Sequence, residues 1–199
     1  EARCSTDLDL LIDPAQHDRV AACLRRCDFE PFHSPIPGKD EHPMGAHHQT
    51  WVAHQDGQAT VEVHFRLSGP ESCQPVVAEL LSRARCLEIS GQPLRVPALE
   101  DELLILCLHA HQHNFLLLRT LMDVAEYVRA FGRQLNWLRL FDLTRACRAT
   151  GRVHAALLVA QRTLGIDGLP DLELTRRQIG VVAALTPETI AGTSGDQND

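Results

Sequence analysis

Asp7 and Asp9 stand one residue apart in the run Ser5-Thr6-Asp7-Leu8-Asp9-Leu10-Leu11-Ile12-Asp13. On a strand, two carboxylates with this spacing project to the same side, while Leu8, Leu10 and Ile12 project to the other. One face of such a strand belongs to a core and the other can hold a cation. Like charges this close are costly unless a metal or a positive group neutralises them. Magnesium suits such hard oxygen ligands, because it keeps waters and leaves positions for the phosphates of a substrate. A solvated strand edge with its acids in water is the competing reading of the same pattern.

A third carboxylate bears on the choice. Metal-dependent phosphoryl or nucleotidyl transfer uses acids around two cations, one holding a triphosphate and one lowering the pKa of the attacking hydroxyl. Glu62 is the natural candidate to complete that set. In the run 60–67, Thr60, Glu62, His64 and Arg66 form one face of a strand, and Val61, Val63, Phe65 and Leu67 form the other.

The elements that must position these acids can be read from the pattern of the chain. Asp13-Pro14 is a helix start, with Asp as cap and Pro in the first turn, and the helix runs to about Arg26 or Cys27 with Val20, Leu24 and Cys27 on its inner side. Residues 29–48 hold Pro31, Pro35, Pro37, Gly38, Pro43 and Gly45, and read as a long functional or mobile loop carrying His33, His42, His47 and His48. His47 and His48 are either a lid over the acids or ordinary polar loop residues. A hairpin follows, with strands at 50–54 and 60–67 around Asp56-Gly57. A helix is expected at 71–84, and a short strand pair at 86–89 and 94–96 around Gly91.

From Leu99 the pattern is helical. Leu99, Leu103, Leu106 and Ala110 make one apolar stripe, and Leu117, Leu121, Val124 and Val128 the next, with Arg119, Asp123 and Glu126 opposite. Further helices are expected at 137–150, at 153–164 stopped by Gly165, and at 176–185. The order, strands with helices first and helices only afterwards, predicts an α+β fold. The expected parts are a palm at 1–97, a helical domain at 98–190 with the boundary near Pro97, and a polar, disordered tail at 191–199.

Composition limits the classes of function. A hydrophobic share of 44% and a charged share of 23% fit a soluble globular chain. No apolar run is long enough to cross a bilayer, and 103–108 is only a short core-like segment. The seven cysteines are scattered without a C-x-x-C pair and read mostly as small buried hydrophobes in a reducing compartment, so a cytoplasmic protein is expected. A net charge of −7 argues against tight polynucleotide binding, which rests on Lys and Arg neutralising phosphates. The chain starts without a methionine almost on top of the acidic strand, so a segment ahead of Glu1 is expected to be missing.

The segment from Arg3 to Asp13, the run Val61-Glu62-Val63-His64-Phe65 and the run Leu106-Cys107-Leu108-His109-Ala110-His111-Gln112-His113 together resemble the uncharacterised nucleotidyltransferase family of the DNA polymerase beta-like superfamily. The resemblance implies a small mixed-sheet palm followed by a helical domain. It implies two magnesium ions held by Asp7, Asp9 and Glu62, an NTP as substrate, and transfer of a nucleoside monophosphate to a hydroxyl of a small molecule, a protein or an RNA end. Glu62 and His64 match the acid-x-His form of the later strand. Arg3 and Ser5, flanking the acids, are candidates for phosphate contact, and His64 is grouped with them. The superfamily also carries a glycine-serine or lysine-glycine motif on a helix before the D-x-D strand, and none precedes Ser5 here. The alternative is therefore a catalytically inactive member of the same fold, a binding or regulatory module partnering a toxin or a biosynthetic enzyme.

Two other constellations compete less well. His109 and His113 share a helix face, with Glu102 on the same flank, and would suit zinc in a hydrolase, but no third ligand follows at a fixed spacing. Ser5 with a downstream His and Asp is not a hydrolase triad, because no G-x-S-x-G elbow is present.

Overall fold

The computed structural model describes residues 7–32, 48–53, 59–67, 77–172 and 176–185. The chain divides into two compact units, one running to Leu67 and taking in the next helix as far as Leu81, the other beginning at Ser82.

The first unit is built on a four-stranded sheet. Its strands are β1 (Asp7–Leu11), β2 (Phe29–Pro31), β3 (His48–Ala53) and β4 (Thr60–His64), in the order β1-β4-β3-β2. β1 and β4 are parallel, whereas β4 with β3 and β3 with β2 are antiparallel. Between β1 and β2 the side chain of Asp13 accepts a hydrogen bond from the Ala15 N–H at 2.9 Å, and Pro14 opens a single 3₁₀ turn. The helix α1 (His17–Arg26) continues from it.

Alternation along the strands sorts the side chains onto two faces. Ile12, Trp51, Val61, Val63 and Phe65 form a core with Ala21 and Leu24 of α1, and Leu10, Val20 and Phe29 pack against it. Arg25 covers the Trp51 ring at 5.4 Å, and His17 shares a hydrogen bond of 3.1 Å with Gln49. The apolar face of β1 fills only from Leu10 onward, since Leu8 is 56% exposed and takes no part in the cluster.

Two expectations for this region change. The segment expected as loop from residue 29 begins with a strand, β2, because Asp28 turns the chain at φ 66° and Phe29 then packs on the core. β3 begins at His48 rather than at residue 50, which moves His48 from the expected loop into the sheet. The expected strand positions beyond residue 53, the Asp56-Gly57 turn and residues 33–47 lie outside the described residues.

The second unit starts with the hairpin of β5 (Arg85–Ile89) and β6 (Gln92–Val96), joined by Ser90 at φ 51° and Gly91 at φ 74°. Positive φ at both turn residues gives the tight geometry that suits a right-twisted strand pair. The helix before it, α2 (Val77–Arg83), falls within the expected 71–84, of which 71–76 lie outside the described residues. After the hairpin come α3 (Leu99–Gln112), α4 (Leu118–Phe131), α5 (Trp137–Ala146), α6 (Thr150–Leu164) and α7 (Arg176–Ala184). Leu103, Leu121, Leu140, Leu157, Val124 and Val153 are fully buried among them.

The single expected helix at 137–150 is divided. α5 ends at Ala146, and the Ala149 N–H returns to the Thr144 carbonyl at 2.7 Å and that of Arg148 to Arg145 at 3.1 Å, with Arg148 at φ 53°. This is a left-handed helix stop that usually carries glycine, and arginine in its place gives no sequence signal. α3 closes on the same pattern through Asn114, whereas α6 ends on Gly165 at φ 64° as expected. The cysteines, read as mostly buried, divide among the described residues, and Cys4 and Cys73 lie outside these. Cys107 and Cys147 are buried, but Cys23, Cys27 and Cys86 are exposed, being placed on the outer side of α1, at its end and on the hairpin. No helix among the described residues is long and apolar enough to cross a membrane.

Acids in the first turn of α3 are held in place. Asp101 is fully buried and receives both ends of the Arg83 guanidinium at 2.9 Å. Glu102 accepts from Arg85 at 2.9 Å and lies 3.1 Å from the Tyr127 hydroxyl. Glu100 accepts from the Asn136 N–H at 2.9 Å, which ties α3 to the start of α5.

Two outcomes follow from this packing. Arg83→Ala leaves Asp101 charged and buried without its guanidinium, so chemical denaturation should show a loss of about 3–5 kcal/mol, larger than for Arg83→Ala combined with Asp101→Leu. His111 is held below the ordinary imidazole value, first by burial and then by the Arg152 charge. The folded state therefore takes up its proton less readily than the unfolded chain, and this contribution to stability is present above the unfolded value and lost as pH falls. Between about pH 7.5 and 5, His111→Asn should flatten the fall in stability measured by urea unfolding.

Candidate functional site

Register brings the chemistry-bearing residues together. Parallel pairing of β1 with β4 sets Asp9 beside Glu62 and Asp7 beside Thr60. Antiparallel pairing of β4 with β3 sets His64 opposite His48 and Glu62 opposite Thr50. Paired residues share a face, so Asp7, Asp9, Glu62, His64, His48 and Thr50 all lie on the side of the sheet away from the core.

Three of these side chains converge. Nε2 of His64 lies 3.0 Å from Oδ1 of Asp9 and 3.4 Å from Oε2 of Glu62. Nε2 of His48 lies 3.7 Å from the same Glu62 oxygen, and the two imidazole rings are 5.1 Å apart. Asp9 is mostly exposed, whereas Glu62 and His64 are largely shielded. Burial, reinforced by the neighbouring His64 and partly offset by Asp9, holds His48 below the ordinary imidazole value.

Among the described residues, Asp9, Glu62 and His64 are the one group whose ligand atoms gather as a metal would require, all within 4.8 Å of one another. The spacing fits a cation, because donors about 2.1 Å from a metal and at right angles are about 3.0 Å apart. The donor set fits as well, with two hard carboxylate oxygens and one imidazole nitrogen. Asp7 stands on the same face, exposed and opposite Thr60, and is not a member of the group.

The other expected residues fall elsewhere. Arg3, Ser5, His33, His42 and His47 lie outside the described residues. His48, read either as a lid over the acids or as an ordinary loop residue, lies instead in β3 beside Glu62. Its signal was the alternation His48-x-Thr50, which extends the polar face of the hairpin back by two residues. His109 and His113 do meet, edge to face at 4.8 Å, but no third ligand joins them among the described residues, and Glu102 is engaged by Arg85 and Tyr127. Burial and the Glu102 charge push the Tyr127 phenol up, so it serves that contact as a neutral donor.

A small mixed sheet with acids on the face away from its core, followed in the chain by helices, is an arrangement consistent with a nucleotidyltransferase fold. The chain belongs to the uncharacterised nucleotidyltransferase family, whose model matches residues 1–165. Membership supports a general nucleotidyl-transfer role. No curated protein and no solved structure matches the chain.

A cation that binds the folded chain stabilises it by mass action. Millimolar magnesium should therefore raise the melting temperature of the wild type. Asp9→Asn and Glu62→Gln should abolish that rise while shifting the metal-free stability by less than about 1 kcal/mol, as measured by differential scanning calorimetry with and without chelator.

Proposed function

We propose that this chain is a metal-dependent nucleotidyltransferase that moves a nucleoside monophosphate from an NTP to a hydroxyl of an acceptor. The observation that carries the reading is the register of β1 and β4, which sets Asp9 against Glu62 on the face of the sheet away from the core. A bound divalent cation would neutralise charge on the triphosphate and lower the pKa of the attacking hydroxyl.

Asp9 and Glu62 hold the cation that serves the acceptor, and Asp7, two residues up the same face, is the ligand for the cation that arrives with the triphosphate. His64 reaches both Asp9 and Glu62 and fixes their carboxylates relative to each other. Its ring also restrains their mutual repulsion before substrate arrives. Arg3 and Ser5, immediately ahead of β1 in the chain, are the candidates for phosphate contact. The net charge of −7 favours a small-molecule or protein hydroxyl over a long nucleic acid. A reducing, cytoplasmic setting agrees with the free thiols at Cys23, Cys27, Cys86, Cys107 and Cys147.

The test is transfer of labelled nucleotide from each of the four NTPs, in the presence of magnesium, to a panel of acceptors. Wild type should label an acceptor, and Asp9→Asn and Glu62→Gln should each lower the rate by at least about a hundredfold. Variants that transfer as well as wild type would refute the assignment. Magnesium-dependent heat on NTP addition, without transfer to any acceptor, would instead favour a binding module of the same fold.

A further inference from the structure

The first-unit site has a feature that transfer chemistry does not require. Two carboxylates converge on a single imidazole nitrogen, Nε2 of His64, at 3.0 and 3.4 Å. If His64 served only as a positive partner, contact with either acid would suffice. The nitrogen instead completes a triangle whose corners are all potential donors within 4.8 Å of one another, and its two edges at His64, 3.0 and 3.4 Å, are close to those between neighbouring ligands of a six-coordinate cation.

We propose that Nε2 of His64 binds the metal directly, together with Asp9 and Glu62, and that this nitrogen makes the site prefer manganese(II) to magnesium. Magnesium is a hard cation that favours oxygen and gives up water reluctantly, so an imidazole in its shell is a poor exchange. Manganese(II) accepts the same carboxylates, waters and phosphates in six-coordination and also accepts imidazole more readily. Zinc binds such sites more tightly in general but favours four ligands rich in nitrogen and sulfur. The informative comparison is therefore between manganese and magnesium, which share geometry and differ in their tolerance of nitrogen.

The strand pairing explains why His64 can reach. Glu62 and His64 are alternate residues of β4, hence on one face, and Asp9 is the register partner of Glu62 on the adjoining strand. His48, opposite His64 on β3, flanks Glu62 on its other side at 3.7 Å and orients that carboxylate toward the triangle. The two imidazoles thus have different parts, one as ligand and the other as a positioning residue.

This inference rests on the reading of the face as a divalent-cation site. The test uses the full chain without nucleotide. Manganese(II) is titrated and free ion followed by electron paramagnetic resonance, magnesium is added as competitor, and the bound ion is examined by electron spin echo spectroscopy for coupling to an imidazole nitrogen. The expected result is nitrogen coupling in the wild type and manganese bound at least about tenfold more tightly than magnesium. His64→Gln should lose the coupling and most of that preference while keeping magnesium affinity within a few fold.

Bound manganese without nitrogen coupling, or manganese and magnesium bound equally, overturns the inference and leaves the cation-site reading standing. Absence of binding by either ion overturns both. Should His64→Gln fail to fold, the coupling in the wild type decides the matter alone, because it needs no variant.

Discussion

The parallel register of β1 and β4 is the constraint on which the rest of the first unit depends. It sets Asp9 against Glu62, an arrangement that two carboxylates would not adopt on their own. The opposite face supplies what holds them there, since Ile12, Val61, Val63 and Phe65 on the same two strands and their connections are buried with Trp51 and Leu24. Each such side chain contributes about 1.5–3 kcal/mol. Repulsion between two partly hydrated carboxylates about 4 Å apart amounts to roughly 1–4 kcal/mol. A slip of one residue would turn the apolar set outward and the acids inward, so the core decides the register and the acids follow.

The second unit handles its acids differently. Asp101 meets the Arg83 guanidinium end on, Glu102 meets Arg85 and Tyr127, and Glu100 meets the Asn136 N–H with Arg139 at 3.9 Å. Arg85 in turn bonds to the Pro97 carbonyl and lies over the Phe131 ring at 5.8 Å. One guanidinium thus links the hairpin, the start of α3 and the end of α4. Ion pairs of this kind add little net stability but penalise any arrangement that separates them, so they specify how the hairpin and α3 fit together.

Much of this was legible in the sequence where side-chain pattern and backbone demand agreed. The alternation around Asp7 and Asp9, the alternation around Glu62 and His64, and Asp13-Pro14 each gave the right element, because period and cap chemistry are local properties. Of the helical stripes, Leu121, Val124 and Val128 are buried as read, whereas in α3 Leu99 and Leu106 are only partly covered and Leu104, Cys107 and Leu108 join Leu103 and Ala110 in the core. What escaped was set by partners distant in sequence. Phe29 became part of a strand because it meets the α1 core, and His48 joined the sheet because β4 offers a free edge to pair with. Arg148 and Asn114 end helices in a conformation that glycine would have announced and that they do not. The burial of Asp101 was illegible because its partner, Arg83, sits in another helix. As for the site, Asp9 and Glu62 could be matched across strands by spacing, but the convergence of His64 on both depends on register, which no single strand encodes.

The contrast between the two units explains why the chemistry is assigned to the sheet and not to the histidine-rich helix. In the helical unit a carboxylate such as Asp101 is matched by a dedicated donor, and further charge there would disturb a closed network. On the sheet, Asp9 and Glu62 both approach Nε2 of His64, and Glu62 approaches Nε2 of His48 as well. The packed core imposes this convergence of acids from the other side of the sheet, and hard oxygen donors brought together in this way suit a divalent cation. Among the described residues, the histidines of α3 gather no comparable set of acids. Glu102 already serves Arg85 and Tyr127, and His111 faces the positive charge of Arg152, which disfavours a cation.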